Sequence, residues 1–237
     1  MNIPPLAVGR TLATVALAIA CVTAVWPTLA SSLDALSAKE TSSGLHAALD
    51  QGIDKAVERL GVPNGFLSNP KVTIPLPPAL DKADRYLRMV GVGADADALK
   101  AAMNHAAESA VAEAKPALKQ ALQRMTVEDA KGILTGGDDS ATQYFRRATA
   151  DSLTAKFKPV VARETAKVKL ASIYDEYAGK AAAFGLIKGE DAHLDDYVTS
   201  KALDGLFAEI ADEERAIRKD PLGQANSLIM RVFGAVP

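Results

Sequence analysis

A chain of 237 residues that is 49% hydrophobic and 24% charged has an ordinary globular composition and enough length for a real core, in one domain or two. A net charge of −2 excludes the overall basic field that draws proteins to nucleic acid. Aromatic residues make up only 5% and alanine is abundant; alanine loses no side-chain entropy on entering a helix, so this balance favours helices.

The first element in chain order is a targeting segment. "MNIPPLAVGR" carries one positive charge, Arg10, and no acid; "TLATVALAIACVTAV" follows as an apolar core; Pro27 and Thr28-Leu29-Ala30 then supply a breaker and a small-residue end. This is the layout of a cleaved secretory signal over residues 1–30. Two alternatives are an uncleaved anchor, since Thr11 to Ala30 is uncharged, and lipidation at Cys21, whose preceding Ala18-Ile19-Ala20 fits that pattern poorly. Cleavage removes Cys21, the single cysteine, and leaves no disulfide or thiol chemistry. The chain therefore reads as periplasmic or secreted, with no membrane span after cleavage.

Residues 31–42 read as a flexible lead-in, and residues 43–237 as one all-helical domain. Leu45, Leu49, Ile53, Val57 and Leu60 recur at helical spacing from near Ser43, and Gly61 ends that helix. "KVTIPLPPAL" is extended, because Pro75, Pro77 and Pro78 forbid a helix before Ala79; it is a short edge strand or a strap across the helices. A helix is expected from about Pro78 to Val90. A longer one opens at Asp95 or Asp97, with Leu99, Met103, Ala106, Ala110 and Ala114 making a narrow interior face, and Pro116 kinks or restarts it. Thr126 and Asp129 form a capping box for a short helix to Leu134.

A helical run is expected from Ser140 to about Gly179 with a kink at Pro159, then a loop, "KAAAFGLIKGEDAHL". Asp195 or Asp196 caps the next helix, whose Leu203, Leu206, Phe207, Ile210 and Ile217 point inward. Its acid-rich "AEIADEERAIRK" reads as a solvated face. Asp220-Pro221 caps a last helix through Ile229 and Val232. The fold class is all-α: a single multi-helix domain of about seven or eight helices with a short Pro-rich extended segment, after a cleaved signal peptide.

"ILTGGDDSATQYFRRAT", Ile133 to Thr149, is the stretch richest in polar groups. It lacks the lysine of a phosphate loop, and Asp138 and Asp139 already occupy the helix N-terminus that would attract a phosphate. Gly136 and Gly137 end one helix, Asp139 or Ser140 caps the next, and Ser140 with Gln143 fits the S-x-x-Q box. By helical angle Arg147 is a surface residue able to pair with Asp151 at i+4, whereas Arg146 falls near Leu153 and Phe157 on the apolar side. A charge there must be paired or placed in a cleft; Asp129, Asp138 and Asp139 are its nearest acidic candidates.

Metal and catalytic chemistry find little support. His105 and Glu108 share a face at i+3, but a di-iron bundle needs a second such arm; His46 and His193 do not supply it. No nucleophile motif stands in the mature chain, so no metal, cofactor or catalytic residue is assigned.

Taken together, "GFLSNPKVTIPLPPAL", "MNHAAESAVAEAKP", "MTVEDAKGILTGGDDSATQYFRRAT", "KFKPVV" and "DYVTSKALDGLFAEIADEE" resemble a bacterial family of exported proteins, domain of unknown function 4197, over roughly Leu45 to Gly234. His105 stands where that family's pattern leads one to expect arginine. The resemblance implies an all-helical fold and export, with no activity, cofactor or site attached.

The functional expectation is a non-enzymatic binding or structural protein that engages a small ligand or a protein partner at the Gly136–Arg146 corner. Asp138, Asp139, Thr142, Tyr144 and Arg146 are its candidate ligand-binding residues: two hydroxyls, two carboxylates and a guanidinium fork. The alternatives are a carboxylate-dependent hydrolase or lyase and a carrier of a small hydrophobic ligand.

Overall fold

The computed structural model describes residues 38–78, 93–167, 193–221 and 226–234, with single positions 81, 88, 89, 171, 172, 174 and 223 between them. Ser31–Pro237 forms one compact unit. The expected signal segment with Cys21, most of the helix expected over 78–90, the run from 168 to Gly179 and most of the loop before His193 lie outside the described residues.

The described residues hold seven helices and no strand: α1 (Ala38–Leu60), α2 (Gly93–Ala112), α3 (Lys115–Gln123), α4 (Val127–Thr135), α5 (Ser140–Thr165), α6 (Leu194–Lys219) and α7 (Ser227–Phe233). The fold is all-α. None of these helices is long and apolar enough to cross a membrane.

Helix α1 starts at Ala38, ahead of the expected start near Ser43, and buries Leu45, Leu49, Ile53, Val57 and Leu60. The long helix expected after Asp95 is two helices. α2 stops at Ala112 and α3 restarts with Pro116 in its first turn, where a missing N–H costs nothing. Leu99, Met103, Ala106 and Ala110 are fully buried, and the small size of the two alanines lets α5 and α6 pack close to α2.

Helices α5 and α6, 26 residues each and so about 39 Å long, form the centre of the packing. α5 lays a ridge of Phe145, Thr149, Leu153, Phe157, Val161 and Thr165 inward at i+4. The threonines fit because each hydroxyl donates to the carbonyl one turn back, Thr149 to Phe145 at 2.7 Å and Thr165 to Val161 at 3.0 Å. The helix continues through Pro159.

The caps divide. Thr126 and Asp129 form the expected capping box, with Asp129 N–H donating to Thr126 Oγ1 at 3.1 Å and Thr126 N–H to Asp129 Oδ2 at 3.0 Å. The last helix is capped by Asn226, whose Oδ1 accepts from Leu228 N–H at 2.9 Å. Asp220 instead closes the end of α6 and accepts from Gly223 N–H. His193, not Asp195 or Asp196, stands at the N-cap of α6.

The Pro-rich segment is a strap. Residues 73–77 have neither helix nor turn, since Ile74, Leu76 and Pro77 each precede a proline that pushes them to extended backbone. Asn104 on α2 holds the strap from within. Its Oδ1 accepts from Ile74 N–H at 2.8 Å, and its Nδ2 donates back to Ile74 C=O at 3.0 Å. Glu108, one turn along α2, accepts from the N–H groups of Phe66 and Leu67 at 3.0 and 3.2 Å. On the other side lies α6. A Cβ at Gly205 would stand 2.6 Å from the Phe66 ring and 3.3 Å from Val72, so glycine there sets how closely the strap approaches.

Candidate functional site

The corner between α4 and α5 has a different anatomy from the one its sequence suggests. Neither Asp139 nor Ser140 caps the first-turn amides of α5. Asp139 is the N-cap but makes no side-chain cap bond, and it accepts instead from Gln143 Nε2 at 3.0 Å. Ser140 Oγ donates to Gly137 C=O. The cap comes from Glu214, on α6. Its Oε1 accepts from Ala141 N–H at 3.0 Å, and its Oε2 accepts from both Thr142 N–H and Thr142 Oγ1 at 2.9 Å. A carboxylate at a helix N-terminus answers both the free amides and the dipole.

Glu214 is balanced by Arg218, one turn later. The Arg218 guanidinium donates to Glu214 Oε1 at 2.9 Å and to Ile133 C=O, near the end of α4, at 2.8 Å. It also lies 5.7 Å from the Phe233 ring of α7. With side-chain exposures of 12% and 3% for Arg218 and Glu214, this is a desolvated pair with its polar atoms satisfied, tying four helices together. The acid-rich stretch of α6 is therefore not a solvated face. Glu209, Glu213 and Glu214 are all buried; Arg59 on α1 pairs with the first two, Glu213 at 3.0 Å. The sequence carried a signal for this: Glu214 falls between Ile210 and Ile217 on the inward stripe.

The five candidate residues of the corner separate. Asp138 and Asp139 are exposed at the turn. Thr142 is buried and committed to Glu214. Tyr144 points to the opposite side, where its hydroxyl donates to Ala121 C=O on α3 at 2.9 Å. Burial, and then the charge of Asp129, raise the pKa of that hydroxyl. Arg146 meets none of Asp129, Asp138 or Asp139: it reaches Asp204 on α6 at 3.1 Å and lies 4.7 Å over the ring of Phe207. Its position on the apolar side of α5 is resolved by stacking on a buried ring while the guanidinium stays half exposed.

Two depressions adjoin these residues. The smaller, about 260 Å³, lies at the corner itself and is lined by Asp129, Ile133, Gln143, Tyr144 and Arg147 among others. Thr126, through its hydroxyl and then its backbone N–H, holds the Asp129 carboxyl below the usual range. The larger, about 740 Å³, is a groove between the strap and α6. The strap contributes residues 71–76 and Pro78, and α6 contributes Tyr197, Lys201, Asp204, Gly205 and Ala208. Asp204 connects Arg146 to this groove. Tyr197 donates to Pro75 C=O at 3.3 Å, and Lys71 pairs with Asp212 at 2.8 Å. Sequence reading did not find this groove, because its two walls are more than a hundred residues apart in the chain.

His105 and Glu108 meet at 2.8 Å, but the second oxygen of Glu108 already caps the turn at Phe66 and Leu67. Among the described residues no group of three or more His, Cys, Asp or Glu side chains could hold a metal ion.

A family model described as "Protein of unknown function (DUF4197)" matches residues 35–234. No curated protein and no solved structure matches the chain.

Proposed function

The chain belongs to the DUF4197 family of unknown function, and on that premise we propose that it is a non-enzymatic binding protein whose ligand lies in the groove between the strap and α6. The observation that carries this reading is the groove itself. It has about 740 Å³ of space, a volume in the range of small-ligand sites, and both walls are anchored to the rest of the fold, the strap by Asn104 and α6 by the core. A pre-formed site loses less entropy on binding.

The Gly136–Arg146 corner supports binding less well. Thr142 and Tyr144 spend their hydroxyls on Glu214 and Ala121. Arg146 contributes through Asp204 at the rim of the groove. The enzyme reading, a carboxylate-dependent hydrolase or lyase, rests on the small corner pocket. Its two best groups are already engaged, Asp129 by Thr126 and Tyr144 by Ala121.

Export belongs to the same proposal: signal-like residues 1–30 precede the unit that begins at Ser31. An intact mass starting at Ser31 would support a periplasmic or secreted protein, whereas retention of residues 1–30 would favour an anchor.

The binding reading is tested by native mass spectrometry of the protein isolated from its source cells. Ala208→Trp places an indole in the groove from an exposed position. We expect a bound mass on the wild type that is absent from Ala208→Trp and kept by Asp129→Asn. A bound mass that survives Ala208→Trp would place binding elsewhere.

A further inference from the structure

The turn that follows α1 holds a chemically reactive pair. "VPNG", Val62 to Gly65, closes with Gly65 N–H donating to Val62 C=O at 2.9 Å. Asn64 has a φ of 66°, the sole positive value outside glycine among the described residues. Pro63 followed by a left-handed residue is a type II turn, and that left-handed position takes glycine or asparagine. Gly65 is fixed for a different reason. A Cβ there would stand 2.5 Å from the carbonyl oxygen of Leu60 and 2.6 Å from that of Arg59. Backbone cannot swing aside as a side chain can, so this position stays glycine. The fold therefore joins an asparagine to a residue that has no side chain to shield it.

Asparagine before glycine is open to attack by the next backbone nitrogen on its own side-chain carbonyl, because the two groups are tethered within one short stretch of chain. Among the described asparagines, only Asn64 is free for it. Its side chain is exposed and makes no hydrogen bond among the described residues. Asn69 accepts from Lys71 N–H at 3.1 Å and precedes Pro70, whose nitrogen carries no proton to lose. Asn104 is buried and bonded to Ile74 and Lys100. Asn226 caps α7 by accepting from Leu228 N–H. We infer that Asn64 is a deamidation site of the folded protein, and that its isoaspartate form loosens the turn between α1 and the strap. The Gly65 nitrogen forms a bond to Asn64 Cγ and closes a five-membered imide. The Cγ–Nδ2 bond breaks, and the Gly65 proton leaves with Nδ2 as ammonia. Water then opens the ring. Addition at Cγ leaves an aspartate on the ordinary backbone. Addition at the α-carbonyl leaves an isoaspartate, whose backbone runs through the side-chain methylene. Either product adds a negative charge. The isoaspartate also lengthens the chain just before Phe66 and Leu67, whose amides Glu108 holds. What guards the pair is a single turn hydrogen bond, from Gly65 to Val62, at residues 62–64 that are all exposed.

The test holds the full-length protein at mildly alkaline pH beside the free capped peptide Val-Pro-Asn-Gly-Phe, and follows both by peptide mass mapping. The peptide sets the time that the unprotected pair needs. We expect the Asn64 fragment to exchange ammonia for water and to split into aspartate and isoaspartate forms. Fragments holding Asn69, Asn104 and Asn226 should keep their mass. The rate should rise with pH, because the attacking nitrogen must give up its proton. Asn64→Gly keeps a residue that accepts positive φ and removes the amide, so it should lose the mass change and retain the wild-type Tm. In the 15N spectrum, conversion should shift the amides of Phe66 and Leu67. Asn64 still intact once the free peptide has been consumed overturns the inference, since the native turn then protects it. The same mass change in Asn64→Gly overturns it by placing the reaction at another residue. Conversion with the Phe66 and Leu67 amides unmoved overturns the loosening of the turn.

Discussion

Glu214 receives two hydrogens from Thr142, one from the backbone amide and one from the hydroxyl, both at 2.9 Å. The two residues lie on different helices and more than seventy positions apart. That contact makes the start of α5 a tertiary structure, since its first-turn amides depend on a side chain of α6. Because Arg218 shares the same carboxylate, removing Glu214 strands a buried cation as well as two amides.

Glu214→Ala should therefore cost about 3–5 kcal/mol, the range for breaking a buried ion pair from one side. Thr142→Val, which removes a single hydroxyl contact, should cost only about 1 kcal/mol. Urea unfolding followed by circular dichroism measures both. Equal losses for the two variants would mean that Glu214 is not the cap.

Arg146 and Arg218 should part in the same assay. Arg146 is half exposed, so Arg146→Ala should cost less than about 1 kcal/mol even with its stacking on Phe207. Arg218→Ala should cost about 3–5 kcal/mol by leaving Glu214 without its cation. The opposite ranking would show that the corner is clamped by Arg146.

The strap should loosen when Asn104 is shortened. Asn104→Ala leaves Ile74 N–H and C=O without their partner in a buried setting, at a cost of about 1–3 kcal/mol each way. Amide exchange at Ile74 should rise, and limited proteolysis should cut within residues 71–78 first. Unchanged exchange there would mean that Asn104 does not hold the strap.

Gly205→Ala tests the opposite wall. Its new Cβ would stand 2.6 Å from Phe66, which is fully buried and cannot swing out. The expected loss is about 1–3 kcal/mol from overpacking. Tm compared with that of Ala208→Gly, at an exposed position on the same wall, isolates the packing effect from helix propensity.

Acid should weaken the clamp between α1 and α3. Burial pushes the Asp54 carboxyl up, but Lys115 at 2.7 Å and Lys119 at 3.1 Å outweigh it and hold its pKa below the usual carboxylate value. A folded pKa below the unfolded one gives stability that is full above about pH 4 and is lost as pH falls through the folded value. Urea midpoints measured from about pH 6 downward should drop below about pH 4, and Asp54→Asn should flatten that limb. An identical acid limb in the variant would assign the loss to other carboxylates, such as Asp212, which Lys71 holds down.

Much of the fold was legible because it is local. The inward residues of α1, α2 and α6 followed from spacing alone, and Thr126 with Asp129 capped α4 because both partners lie within one turn. The Ser140–Gln143 box failed for a related reason. Its local partners were present, but a buried carboxylate from α6 offers the same amides a charged acceptor, and a charged acceptor makes the stronger hydrogen bond. Arg146 was read onto the apolar side of its helix, but it is exposed there, and its partner could not be read, because Asp204 is its neighbour only once α5 and α6 pack.

What the sequence determined by itself was the helical class, the faces that turn inward and the proline-enforced break between helices, all consequences of periodicity and short-range sterics, together with the resemblance that led to the family. The tertiary structure alone decided that three glutamates of an acid-rich stretch are buried, that Arg218 and Glu214 form the keystone of the corner, and that the strap and a distant helix line a groove of about 740 Å³. Burial and partnership belong to pairs of elements, and no residue carries them until its element has found the other.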